Sequence, residues 1–211
     1  MTIILSIALL LLWFFDLYAK YNGHKRYTKP LLLPCIILLY LWLSYTMHKQ
    51  IHILEIIALL SGWAGDVLLL SKKDGFLFAG LVSFLAGHIV YILLFFSFCS
   101  LGFSPTLFCA IVLYAIYGWI LYKRIAVHVP KPFKAPVIIY LFVILSMSCT
   151  AGLLYHSISF LSWLMIWGGS LLFVASDTLV AIEKFCNPNI RGVMELYVPA
   201  QVLLMIGVLL L

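Results

Sequence analysis

Two aspartates lie where water is scarce. Asp66 sits in SGWAGDVLLLS and Asp177 in GGSLLFVASDTLVAI, each inside a long apolar run. Both runs read as membrane spans, and a carboxylate within a span by default marks a functional site facing the bundle interior or a wet cavity. Two carboxyls brought together in such surroundings divide their roles, one keeping its proton while the other is ionised. That is a general acid/general base pair, able to protonate a substrate carbon or oxygen and to activate water without a metal.

Other hydrolytic machinery is missing from the chain. Gly168-Gly169-Ser170-Leu171-Leu172 fails the G-x-S-x-G pattern at its last position. There is no H-E-x-x-H, no Walker A and no G-x-G-x-x-G. A catalytic zinc needs three protein ligands. The one set available deep in the spans is Asp66, Asp177 and His88, and the sequence is read as needing neither metal nor cofactor.

The acids must be held by something, and composition says what. Of 211 residues 65% are hydrophobic and 9% are charged, against roughly a quarter charged in soluble domains. The chain reads as an integral membrane protein with no soluble domain. Its net charge of +6 does not signal nucleic acid, because the cations lie in short loops between apolar runs, as orientation signals do. Cys35, Cys99, Cys109, Cys149 and Cys186 show no metal spacing and read as free thiols. The N-terminus lacks a basic n-region and a small-residue cleavage site, so it reads as a retained first span.

Eight runs are long enough to cross a bilayer at about 20 residues each: 2–19, 30–47, 53–71, 76–99, 105–122, 135–155, 160–183 and 193–211. The expected fold is an all-α bundle of eight transmembrane helices in one domain covering 1–211. Lys and Arg then fall 12 to 1 between alternate loops, the exception being Lys49. The basic loops are therefore expected on the cytoplasmic side and both termini on the other. A short echo, Ala64-Gly65-Asp66-Val67-Leu68 against Ala175-Ser176-Asp177-Thr178-Leu179, relates spans three and seven and suits duplication of a four-helix unit.

Orientation turns sequence distance into depth. Asp66 precedes Lys72 by six residues and Asp177 precedes Lys184 by seven. At 1.5 Å per residue both acids lie about 10 Å from the cytoplasmic end of their helices. Tyr197 and Gln201 enter the eighth span from that side, His88 and Tyr91 lie deeper in the fourth, and Lys29 caps the second at the surface. Each has a plainer reading. His88 follows a stripe of small residues (Ala79, Ser83, Gly87) that packs helices, the tyrosines and Gln201 serve as interhelical glue, and Lys29 serves as an orientation charge. Asp16, Glu55, Glu183 and Glu195 sit near span ends, where water is close, and Asp74 is in a loop. Pro34 and Pro199 are expected to kink their helices. Trp13, Trp42 and Trp163 read as interface anchors or packing.

The ordered set of short motifs resembles the lysoplasmalogenase (YhhN-like) family of membrane enzymes. The motifs are Thr28-Lys29-Pro30; Gly65-Asp66; Phe76-x3-Gly80-Leu81-x2-Phe84-x3-His88-x2-Tyr91; Ser176-Asp177; and Tyr197-x2-Ala200-Gln201. The resemblance implies an eight-span hydrolase that cleaves the vinyl ether bond of lysoplasmalogens to a fatty aldehyde and glycerophosphocholine or glycerophosphoethanolamine. It implies that Asp66 and Asp177 are catalytic. Lys29, His88, Tyr91, Ser176, Tyr197 and Gln201 are expected to bind substrate or position water, with Lys29 meeting the lipid phosphate. The partners implied are a lysophospholipid and the bilayer, and the compact loops suit a bacterial inner membrane. The rival from another class is a proton- or cation-coupled transporter using the same acids, with Gly62, Gly65 and Gly168-Gly169 permitting broken helices. A metal-dependent lipid hydrolase and a structural membrane subunit are further alternatives.

Overall fold

The computed structural model of the chain describes residues 1–24, 26–71, 74–99 and 105–211. Lys72 and Lys73, which close the third apolar run, lie outside the described residues. Eight α-helices follow one another: α1 (Thr2–Tyr21), α2 (Lys29–Thr46), α3 (Ile53–Leu68), α4 (Asp74–Phe96), α5 (Pro105–Ile125), α6 (Lys131–Leu153), α7 (Phe160–Phe185) and α8 (Val193–Leu209). A single 3₁₀ turn, Leu154–His156, extends α6. Continuous apolar sequence leaves the backbone to satisfy its own hydrogen bonds, and in lipid only helices or closed barrels do so.

The ends carry their own signals. Pro30 starts α2 and Pro132 starts α6, where a missing N–H costs nothing. Ser159 caps α7, its hydroxyl accepting from the Ser162 N–H at 3.3 Å. Gly192, at φ +100°, turns the chain into α8.

The protein is an all-α, multi-pass membrane bundle. Among the described residues six helices (α1, α2, α4, α5, α6 and α7) are long and apolar enough to cross a bilayer. The other two have 16 and 17 residues, or about 25 Å at helical rise, short of a hydrocarbon core of roughly 30 Å. α8 is also the most enclosed element: none of its residues from Val193 to Leu209 is exposed, and more than half are buried, as an all-round apolar helix should be.

The most extensive packings are α7 on α8 and α3 on α4. These are the corresponding pairs if the chain is two four-helix units, and each acid lies on the first helix of a pair. The α7–α8 contact depends on two glycines. A Cβ at Gly169 would lie 2.9 Å from the Leu204 backbone nitrogen, and one at Gly207 would lie 2.8 Å from that of Ile166. Since backbone rather than a flexible side chain would have to move, Gly169→Ala is expected to lower stability by about 1–3 kcal/mol. Thermal unfolding in detergent checks this, with Gly168→Ala, which meets nothing within 4 Å, as the near-neutral comparison.

Several acids expected near water are buried. Asp16 is 0% exposed because Arg26 folds back from the α1–α2 connection and grips both its oxygens. Glu55 is also 0% exposed; Tyr91 donates to it and the first turn of α3 is enclosed. One oxygen of Glu195 is buried without a partner. Glu183 does reach water, paired with Lys20 at 3.4 Å. Asp74 is the first residue of α4 rather than a loop residue. The Trp13 indole donates to the Met194 carbonyl at 3.0 Å, Trp42 to Thr2 Oγ1 at 3.0 Å and Trp163 to the Gly152 carbonyl at 3.0 Å, so all three join helices as well as packing.

Candidate active site

A cavity of about 980 Å³, its open mouth included, lies among α2 to α8. Its walls are Leu, Ile, Val and Phe, interrupted by a few polar groups. Asp66, Asp177, Lys29, Ser176 and Tyr197 are among its lining residues, and so is Tyr140. Helices α3 and α7 thus present their acids to one chamber. Within it each acid has its own partners.

Asp66 is 2% exposed. Its Oδ1 lies 2.9 Å from Lys29 Nζ, and its Oδ2 has no hydrogen-bond partner. Local packing fixes both groups. The Trp63 indole donates to the Pro30 carbonyl at 2.9 Å, tying α3 to the first turn of α2 that carries Lys29. The Phe84 ring lies against Gly65, where a Cβ would be 2.6 Å from it, so the residue before Asp66 must stay bare. Lys29 is 7% exposed. It is therefore the buried counter-ion of Asp66 and not a surface orientation charge, because α2 begins inside the bundle.

Asp177 is more open, its side chain 14% exposed. The Tyr140 hydroxyl donates to its Oδ2, and His88 Nε2 lies 3.4 Å from that oxygen and 3.0 Å from the Tyr140 hydroxyl. Carboxyl, phenol and imidazole thus form a closed triangle built from α7, α6 and α4. His88 is 1% exposed and stands behind Asp177 rather than in the cavity wall. The Asp177 Oδ1 is the oxygen this triangle leaves unengaged.

Tyr197 connects the two halves. Its hydroxyl is buried without a hydrogen-bond partner and feels the charge of both Asp66 and Asp177. Its ring meets Phe84 edge-on at 6.1 Å and Phe173 at 5.5 Å, and Phe173 meets His88 at 4.8 Å. Two buried polar atoms beside one cavity, Asp66 Oδ2 and Tyr197 Oη, are therefore left without a well-aligned hydrogen bond, although the phenol lies close to both Asp66 and Gln201. Native interiors rarely leave such groups unpaired unless a ligand, water or catalytic role accounts for them.

The remaining candidates divide. Ser176 lines the cavity, but its hydroxyl donates to the Val193 carbonyl at 3.0 Å and so anchors the start of α8. Tyr91 and Gln201 belong to a second buried cluster. The Tyr91 hydroxyl lies 3.3 Å from Glu55 Oε1 and 3.5 Å from Gln201 Oε1. Gln201 Nε2 and the Tyr197 hydroxyl would each sit 3.4 Å from a Cβ at Gly62, so this cluster abuts the site without lining it. Among the described residues no three His, Cys, Asp or Glu side chains gather as a ligand set. Asp66 is turned to Lys29, whereas His88 is turned to Asp177.

Sequence reasoning does not single out Tyr140, and it places Glu55 near water. Tyr140 lies in VIIYLFVIL, where an aromatic is ordinary filler and no spacing singles it out. Glu55 is the third residue of its run, which suggests water; only the covering of that helix end buries it.

No curated protein and no solved structure matches the chain. The model of the YhhN family matches residues 24–208, from the turn before α2 to the penultimate residue of α8, and takes in all of the cavity-lining side chains named above. The chain belongs to the YhhN family.

Proposed function

We propose that the protein is a lysoplasmalogenase, hydrolysing the vinyl ether of lysoplasmenylcholine or lysoplasmenylethanolamine to a fatty aldehyde and the glycerophospho-alcohol. One observation carries the reading: an open, mostly apolar cavity holds two carboxyls in different settings, one paired to an ammonium and the other to a phenol and an imidazole.

A vinyl ether is cleaved by placing a proton on its β-carbon. The alkene electron pair forms the new C–H bond, and the ether oxygen lone pair completes an oxocarbenium ion at the α-carbon. Asp177 is assigned as donor. Its Oδ2 is engaged by Tyr140, so Oδ1 carries the proton, and Tyr140 and His88 hold the carboxyl in place. Asp66, with Lys29 as counter-ion, is assigned as the carboxylate that takes a proton from water as the water oxygen bonds to the α-carbon. Negative charge near the cation also stabilises it, as in glycoside cleavage. As the hemiacetal collapses, the glycerol oxygen leaves with the proton held by Asp66 and the hemiacetal hydroxyl gives its proton to Asp177, so both acids return to their starting states and one water is consumed overall. Tyr197, with its unpartnered hydroxyl between the acids, orients the water.

The proposed topology has all eight helices in the membrane, the basic loops and cavity mouth cytoplasmic and both termini opposite. α8 is short and enclosed by protein, whereas α3 keeps an exposed apolar side of Ile53, Ile57, Leu60 and Val67. The compact loops support a bacterial cell membrane as its location.

Purified protein in detergent, supplied with lysoplasmenylethanolamine and an excess of chelator, is expected to release aldehyde; none from folded protein would sink the reading. Tyr140→Phe is expected to lower kcat by about 10–100-fold, the worth of one hydrogen bond to a charged group, with little change in KM.

The second reading, a proton- or cation-coupled transporter, draws on the buried run of polar groups Asp66, Tyr197, Gln201, Tyr91 and Glu55, which extends along α3 and α8 away from the cavity. Aldehyde release in detergent, where no gradient exists, separates the two.

A further inference from the structure

Two ammonium groups line the cavity, Lys29 and Lys184. Lys29 is committed to Asp66, 2.9 Å away, and is almost wholly buried. Lys184 is exposed, in the last turn of α7, and forms none of the ion pairs seen among the described residues. A cation in a last turn complements the helix dipole wherever it occurs. The register of Lys184 is more specific. It follows Asp177 by seven residues, two helical turns, so both side chains leave the same face of α7 into the same cavity. Along the axis they are roughly 10 Å apart, the acid inward and the ammonium at the rim.

We propose that Lys184 binds the anionic phosphodiester of the lipid and so fixes which bond of the substrate meets Asp177. The proposal rests on the vinyl-ether reading given above and names the residue that selects a phospholipid. Between the vinyl α-carbon and phosphorus lie six bonds: through the ether oxygen, three glycerol carbons and the ester oxygen. Extended, they span about 7 Å at backbone-like bond lengths. An ammonium–phosphate hydrogen bond adds about 2.8 Å. The sum is the axial offset of the two side chains. With the phosphate at Lys184 the vinyl ether lies at Asp177, and the alkenyl chain continues into the apolar end of the cavity toward Phe84 and Ile144. Lys29, expected from the sequence to meet the phosphate, is left to its carboxylate.

The test compares wild type, Lys184→Ala and Lys184→Arg on two substrates, lysoplasmenylethanolamine and the corresponding 1-alkenylglycerol, which has the vinyl ether but no phosphate. For the phospholipid, Lys184→Ala is expected to raise KM about 10–100-fold with kcat nearly unchanged, and Lys184→Arg to stay within a few-fold of wild type. For the alkenylglycerol the three proteins are expected to share one KM. Equal losses on both substrates, or no loss on either, would overturn the assignment. A non-cleavable 1-alkyl lysophospholipid provides a readout independent of catalysis, with binding followed by tryptophan fluorescence. Weaker binding to Lys184→Ala, with inorganic phosphate failing to compete at millimolar concentration, supports a lipid headgroup site. Competition by inorganic phosphate points instead to a free-anion site, and unchanged binding removes the site altogether. If wild type releases no aldehyde but this binding difference persists, the vinyl-ether reading fails while the phosphate site stands.

Discussion

Asp177→Asn and Asp66→Asn are each expected to lower kcat for aldehyde release by about 10²–10⁴-fold, the usual worth of a positioned acid or base. The two losses should differ in character. Asparagine at 177 keeps an oxygen for the Tyr140 hydroxyl but has no acidic proton, so the first step is lost while the phenol and imidazole stay in place. Asparagine at 66 cannot take a proton from water and no longer balances Lys29, so both the attack of water and the stabilisation of the cation suffer. Because the acids act in one reaction, the double variant is expected to be little worse than the worse single one. Additive losses would mean that the two acids serve separate steps or sites. Folding of each variant is checked by thermal unfolding, which matters most for Asp66→Asn, since it leaves Lys29 buried without its partner.

That dependence leads to the largest expected effect on stability. Lys29 and Asp66 are both nearly inaccessible to water and lie 2.9 Å apart. Removing one member of a buried pair leaves an uncompensated charge, which typically costs about 3–5 kcal/mol, whereas replacing both by apolar groups of similar volume is often neutral or stabilising. Lys29→Ala is therefore expected to unfold or severely destabilise the protein. Lys29→Met combined with Asp66→Leu is expected to recover wild-type stability with no aldehyde release. Thermal unfolding of the two proteins in one detergent decides it. If Lys29→Ala is as stable as wild type, the pair is not a buried counter-ion arrangement and Lys29 is free for another role. Recovery of folding without activity would show that the charge at position 66 is kept for chemistry rather than for the fold.

How much of this was legible beforehand differs from residue to residue. Eight apolar runs coincide with eight helices, because run length and the need to satisfy the backbone in lipid leave few alternatives. Counting residues to the next lysine did not give the depth of the acids: α3 ends at Leu68, two residues after Asp66, whereas α7 runs eight residues past Asp177, although both line one cavity. Partnerships were not legible. Lys29 looked like a surface charge because it stands at the head of an apolar run, but α2 starts inside the bundle and turns it onto Asp66. Tyr140 looked like filler, because one tyrosine among Ile, Leu, Phe and Val has no periodicity to mark it. Glu55 and Asp16 looked solvated, because distance to a helix end does not say what covers that end. In each case the missing information is which faces of non-adjacent helices meet, and within a membrane that is set by small residues such as Gly169 and Gly207, whose effect is felt across the bundle rather than along the chain.

The most direct measurement of the central claim follows isotopes through a single reaction of the wild-type protein with lysoplasmenylethanolamine. With the turnover run in deuterium oxide, the aldehyde is expected to carry one deuterium on the carbon next to the carbonyl. With the turnover run in water enriched in oxygen-18, the glycerophosphoethanolamine is expected to carry none of the label. Oxygen-18 in the glycerol product would place the attack of water on the glycerol side of the ether and contradict proton transfer from the cavity acids to the alkene.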